Sequence, residues 1–342
     1  MKDEPFFPIG IYNVRSAEDV RDLVKLGFNT SFNAGNEEFM KACDETGMMV
    51  IAGGPGEHMQ DYDRLEQMRA SVERLYWHPS LLGWYVVDEP SLRRVPPEVI
   101  KRASKLLEMI DPYHPTLLVD GSRHRSKPYQ ALVQVAAPAY YPIWKGMPVT
   151  HVAECVDQTV EVVPPDQPVW FVLEAFAWST QLRFPTPAEE RCMAYLAVIH
   201  GARGLSWFAY RNWSFDPEHP EKSDTWTALE MSPPLWQEIL EEVRQFNELA
   251  PWLVGRRVPP IVEREGLKRV DWCVIERGEE VLILACNPAP VGCQHTFEVE
   301  GLEGPVKVFW ENRSVQAREG AFTDRFEPMQ VHVYQARKEA AR

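Results

Sequence analysis

Short apolar runs alternate with amphipathic stretches along the first 250 residues. Residues 6–12 (Phe-Phe-Pro-Ile-Gly-Ile-Tyr) read as a first strand, covered on both faces because the run lacks polar alternation. Ser16 opens a helix with Asp19 three residues on as capping-box partner, and Gly27 stops it. Residues 28–32 form a second strand ending at Asn33. Asn36 caps a helix that carries Phe39, Met40 and Cys43 on one face and ends at Gly47. A third strand over 48–52 enters the loop Gly53-Gly54-Pro55-Gly56, and a helix over 61–76 leads to a fourth. The fourth strand, Leu81-Leu82-Gly83-Trp84-Tyr85-Val86-Val87, meets Asp88-Glu89-Pro90, where the proline forbids further ladder pairing.

The alternation continues with a helix over 96–110, a strand over 116–119 and a short crossover over 123–132. A sixth strand, 133–137, leads to Tyr140-Tyr141-Pro142, and a helix follows over 149–162. A seventh strand, 168–173, ends at Glu174; a helix over 187–200, a strand over 204–210 and a helix over 234–249 complete the series. Eight strand–helix units over about 250 residues predict a (β/α)8 barrel. A doubly wound sheet would place a glycine-rich turn after its first strand, where this chain has Tyr12-Asn13-Val14-Arg15. Beyond Trp252, strands over 270–276, 280–286, 295–299, 306–310 and 330–334 follow one another without helices. They predict a small C-terminal antiparallel β-sandwich-like domain. The expected organisation is a barrel over 1–254 and a β-domain over 255–342, joined near Pro259-Pro260, with a frayed charged end.

Composition narrows the partners. Net charge is −14, from 50 acidic and 36 basic residues, which disfavours nucleic acid and anionic membranes. No run of about 18 apolar residues exists to span a bilayer. The charged start lacks a secretory apolar region, so a cytoplasmic location is expected. The six cysteines lack metal-ligand spacing and read as structural thiols; Cys286 and Cys293 flank a hairpin and would pair only in an oxidising compartment. No cofactor or metal motif is present: the first strand does not end in His-x-His, and HExxH is absent. The loops after strands seven and eight lack the glycines of a phosphate-binding barrel.

Catalytic groups of such barrels sit at the C-terminal ends of the strands. The candidates there are Asn33, Gly54, Glu89, Ser122, Tyr141, Glu174, Trp207 and Tyr210. Glu89 and Glu174 each follow a strongly apolar run, on strands four and seven, placed to face one another across the mouth. Glycosidic cleavage needs such a pair: one carboxyl protonates the departing oxygen while the other attacks or stabilises the oxocarbenium-like centre. The bland alternative for Glu174 is an ion pair with Arg203 or Arg211 inside the barrel. Trp144, Trp178, Trp207, Trp213 and Trp226 could stack on sugar faces or simply fill the core, with Trp178 and Trp207 the preferred contacts. Arg123, His124 and Arg125 either line the site or solvate a loop, and the segment 211–233 is long enough to form a wall.

These residues resemble clan A of the retaining glycoside hydrolases, (β/α)8 enzymes with glutamates after strands four and seven. Asp88-Glu89-Pro90 matches the clan's Asn-Glu-Pro, and Leu173-Glu174-Ala175-Phe176 matches its nucleophile segment. Leu205-Ser206-Trp207-Phe208 is similar to the strand whose Trp floors the sugar site, and Tyr141, or Tyr140, corresponds to the aromatic beside the nucleophile. Phe7-Pro8-Ile9-Gly10-Ile11-Tyr12 resembles first strands of several members. The resemblance spans 1–254 and implies cleavage of a β-linked glycoside by double displacement, with Glu174 as nucleophile and Glu89 as acid/base. It also implies substrate contacts from Asp88, Tyr141 and Trp207, with Asn33, Trp178 and Tyr210 added by their position at the mouth. Asp88 departs from the clan's asparagine: it can accept a hydrogen bond from a sugar hydroxyl but not donate one. A barrel that binds carbohydrate without cleaving it is the rival reading.

Overall fold

The computed structural model describes residues 6–53, 62–121, 125–178, 183–212, 218, 225–254 and 258–338. Gly54, Ser122, Arg123, His124 and Trp213 lie outside the described residues. Eight parallel strands form the barrel: Ile9–Ile11, Thr30–Ser31, Met49–Gly53, Leu81–Asp88, Thr116–Asp120, Val135–Pro138, Phe171–Glu174 and Leu205–Phe208. Each pairs with its neighbour in chain order, and the eighth lies between the first and the seventh. Parallel bridges Ala136–Val169 and Ala139–Val172 join the sixth strand to the seventh and close the ring.

The expected caps form. Ser16 and Asp19 make a reciprocal capping box on Ala17–Lys25, Asn36 caps Glu37–Thr46, and Gly47 ends that helix at φ 80°. The short crossover is a single turn, Lys127–Gln130. The last barrel helix, Pro233–Leu253, runs further than expected, through Pro251.

Two apolar layers follow from the strand period. One lies between sheet and helices and includes Ile9, Ile11, Trp84, Val86, Leu173, Leu205 and Trp207. The other fills the barrel and includes Tyr12, Phe32, Ile51, Val119, Ala137, Trp170, Val172 and Ala209, with Tyr85, Tyr141 and Phe208 packed against it. Gly10 leaves room for the Phe32 ring: a Cβ there would sit 2.8 Å from it.

The C-terminal strands form a six-stranded antiparallel sheet and a two-stranded ribbon, Cys293–Glu298 with Ala321–Phe326. Arg313–Ala317, Ala321–Phe326 and Ile261–Glu265 are strands beyond the five expected. The face bearing Trp272, Ile283 and Tyr334 packs on Phe297 and Phe322 of the ribbon. The opposite face, with Leu282, Leu284, Cys286 and Val333, joins the apolar layer of the barrel helices. His200 pins the junction, its Nδ1 2.7 Å from Asp157 and its Nε2 3.0 Å from Asp271. Burial disfavours the imidazolium, but both aspartates hold its pKa above the ordinary value. All six cysteines are free, so Cys286 and Cys293 do not pair; Cys286 is buried against Cys192. Among the described residues no helix is long and apolar enough to cross a membrane.

Candidate active site

The fourth strand delivers Glu89 through a sharp turn. Glu89 sits at φ 46°, an uncommon conformation for a residue with a Cβ, and Pro90 starts the one-turn helix Pro90–Arg93. Its amide donates to the Val119 carbonyl at 2.9 Å, tying the turn to the fifth strand. The carboxylate lies over Gly121, where a Cβ would come within 2.6 Å of Oε1. Burial, Asp88 and Asp120 raise its pKa, against the pull of Arg93 and Lys145.

Glu174 ends the seventh strand in register with Trp170 and Val172, both inside the barrel, and is 1% exposed. Neither Arg203 nor Arg211 bonds to it: Arg203 donates to the Leu253 carbonyl and Arg211 pairs with Asp19. Two consecutive backbone amides hold it instead, Ile143 N on Oε2 at 3.0 Å and Trp144 N on Oε1 at 2.8 Å. Burial pushes its carboxyl up to about 8, while the two amides, Lys145 and Arg183 pull the other way.

Tyr141 lies within electrostatic reach of both carboxylates. Its phenol is raised well above the ordinary value by burial first, then by Tyr12, Glu89, Asp88 and Glu174. Its ring packs edge-on against Phe176 at 5.0 Å. Trp178 is 43% exposed and stacks on Trp144 at 5.6 Å, giving an open aromatic pair next to the Glu174 amides. Asp88 is exposed at the mouth and accepts from Tyr85 Oη and, at 3.0 Å, from Arg93.

Three expected contacts are committed within the protein. Trp207 is 0% exposed and faces the helices, its Nε1 donating to Glu190 Oε1 at 2.9 Å. Strand alternation turns Phe208 inward instead, beside Tyr12 and Tyr141. Tyr210 is buried against Trp236 of the last barrel helix, under Arg211. Asn33 spends its amide on the loop after the first strand, accepting from Val14 N at 3.1 Å and donating to Val14 O at 2.6 Å. Trp226 is buried, and Trp144 and Arg125 are exposed.

Tyr12, Tyr85, Gly121 and Lys145 join the site without having been expected there. Burial and then Asp88 push Tyr12 up, and burial and Tyr12 do the same for Tyr85, so both phenols keep their protons. Inward register marks the two tyrosines in the sequence. Gly121 and Lys145 carry no comparable signal, since their place depends on contacts between separate loops. Among the described residues no cluster of His, Cys, Asp and Glu could hold a metal ion.

The fold and site define a closed (β/α)8 barrel with two carboxyl groups at its C-terminal mouth. Solved structures sharing this fold include a protein described as a glycoside hydrolase, at TM-score 0.66 and 10% identity over 99% of this chain and 94% of its own. The α-amylase of Geobacillus thermoleovorans, complexed with acarbose, gives 0.62 and 11% over 98% and 99%. A GH30 endoxylanase of Clostridium papyrosolvens gives 0.59 and 11% over 98% and 97%. No family model matches the chain, and no curated protein matches it in sequence.

Proposed function

We propose that this chain is a glycoside hydrolase that cleaves a β-linked glycoside with retention, using Glu174 as nucleophile and Glu89 as acid/base. The observation that supports the reading is the approach of two strand-end carboxyls, from strands four and seven, on either side of Lys145, whose Nζ bonds the Gly121 carbonyl beside Glu89 and whose two preceding residues supply the amides that hold Glu174. The fold it shares with glycoside hydrolases supports the same class. In the first step a Glu174 oxygen attacks the anomeric carbon as the glycosidic C–O bond breaks and Glu89 gives its proton to the leaving oxygen. In the second, Glu89 takes a proton from water, whose oxygen attacks the same carbon and frees Glu174. The Trp144–Trp178 pair offers an indole face to the sugar, and Asp88 accepts from a hydroxyl.

One observation favours the rival reading, a barrel that binds sugar without cleaving it: Glu174 is enclosed, with an amide on each oxygen. Incubation with α- and β-linked aryl glycosides and their 2-fluoro analogues, followed by intact-mass analysis, separates the two. A sugar adduct on Glu174, lost in Glu174→Ala, supports hydrolysis. Turnover of a β-glycoside by Glu174→Ala at the wild-type rate would sink the assignment.

A further inference from the structure

Four carboxyl groups crowd this mouth: Asp88, Glu89, Asp120 and Glu174. Among the described residues the cations facing them are Arg93, Lys145 and Arg183. Two of these are committed. Arg93 pairs with Asp88 at 3.0 Å, and Arg183 grips Glu189 with two nitrogens at 2.6 and 2.7 Å. Lys145 differs: among the described residues it forms no ion pair. Its Nζ donates to the neutral Gly121 carbonyl at 3.2 Å and lies 4.1 Å from the Tyr140 ring centroid.

Those two neighbours hold the ammonium between the glutamates. Gly121 is the residue against which the Glu89 carboxylate rests. On the other side, the two residues before Lys145 supply the amides that hold Glu174. One turn builds this arrangement. Lys145 N bonds to Tyr141 O at 3.2 Å, Met147 N to Pro142 O at 2.8 Å, and Gly146 closes it at φ 64°. The left-handed geometry at Gly146 is one that a glycine adopts without steric cost.

We propose that Lys145 is a positioning residue of the two-carboxyl site, its otherwise uncommitted ammonium favouring the attacking carboxylate form of Glu174 over the neutral acid. The proposal rests on the hydrolase reading for its catalytic meaning, but the charge relation holds without it. Burial favours a neutral Glu174, and an ammonium nearby in a partly desolvated site opposes that preference. Burial in turn lowers the Lys145 pKa, while Cys155, Glu89 and Glu174 support its charge. The other groups facing the site are the phenols of Tyr12, Tyr85 and Tyr141, with Tyr140 bonded to His151 and Glu190 behind Glu174. Among the described residues none of these supplies a second uncommitted cation.

The test is a carboxyl 13C NMR titration of glutamate-labelled protein, with Glu174→Gln assigning the Glu174 resonance. In Lys145→Met the Glu174 midpoint should move to higher pH, and Lys145→Arg should restore it. In parallel, the Lys145→Met pH–rate profile on the aryl glycoside turned over fastest should shift to higher pH, with kcat/KM at pH 7 down about ten-fold. A folded Lys145→Met with an unmoved Glu174 midpoint overturns the proposal while leaving the hydrolase reading intact. A moved midpoint in a protein that cleaves no glycoside supports the charge relation and removes the hydrolase reading. If Lys145→Met does not fold, Lys145→Gln carries the same comparison.

Discussion

Replacing Gly121 by alanine adds one methyl group at the point where the proposed acid/base rests. The new Cβ would lie 2.6 Å from Glu89 Oε1 and 3.4 Å from the Ala139 carbonyl. An unstrained contact needs about 3.5 Å, so the Glu89 carboxylate must retreat by roughly 0.9 Å. The Ala139 contact needs little adjustment, and Gly121 has no left-handed φ that alanine would resist. Stability should therefore hold, or rise by about 0.4–1 kcal/mol through the stiffer unfolded chain. Activity should not hold. A displacement near 1 Å at a reacting group costs about 10²-fold, or about 2.7 kcal/mol of transition-state stabilisation. The assay is kcat/KM on aryl glycosides of graded leaving-group acidity, alongside urea unfolding. The defect should shrink as the leaving group becomes more acidic, because proton donation then matters less. Gly53→Ala is the control, since a Cβ at that strand end meets nothing within 4 Å among the described residues. Wild-type kcat/KM in Gly121→Ala, on a substrate for which Glu89→Ala loses 10²-fold or more, would refute this placement of Glu89.

Asp88→Asn removes the anion that, after burial, raises Glu89. Glu89 should then release its proton at lower pH, moving its limb of the pH–rate profile to lower pH while activity persists; an unchanged profile would mean that Asp88 does not act on the acid. Glu242 lies fully buried on the last barrel helix beside Glu190, both its oxygens without a hydrogen-bond partner among the described residues, and burial holds its pKa well above the ordinary value. Folding thus takes up a proton there, so Glu242 costs stability as pH rises above its unfolded value of about 4.3. Glu242→Met should be more stable by about 1–4 kcal/mol at pH 7, with the gap closing toward pH 4 in urea melts. A gap independent of pH would count against a carboxyl held neutral by burial.

Particular residues explain what could be read from the chain and what could not. Glu89 and Glu174 were legible because a carboxylate at the exit of an apolar run is costly unless it has work to do. The barrel was legible because strand and helix periods alternate eight times. In the strand over 204–210 the observed faces differ by one position from those expected. Leu205, Trp207 and Phe208 are all apolar, so the run carries no alternation to fix its phase, and a one-residue slip swaps the faces. Trp207 and Phe208 trade places for that reason: the larger ring fills the layer under the helices, and the smaller lines the barrel. The strand signal over 313–326 is weak because a charged residue, Asp324, takes the inward position between Phe322 and Phe326. Lys145 belongs to a third kind. Its contacts are to Gly121 and Tyr140, and its influence reaches strands four and seven, so its part in the site exists only once the barrel has closed. The two glutamates thus arise from local pattern, but the charge balance between them arises from topology. A variant that keeps both glutamates and disturbs the turn over 141–147 should therefore damage the pair as surely as replacing one of them.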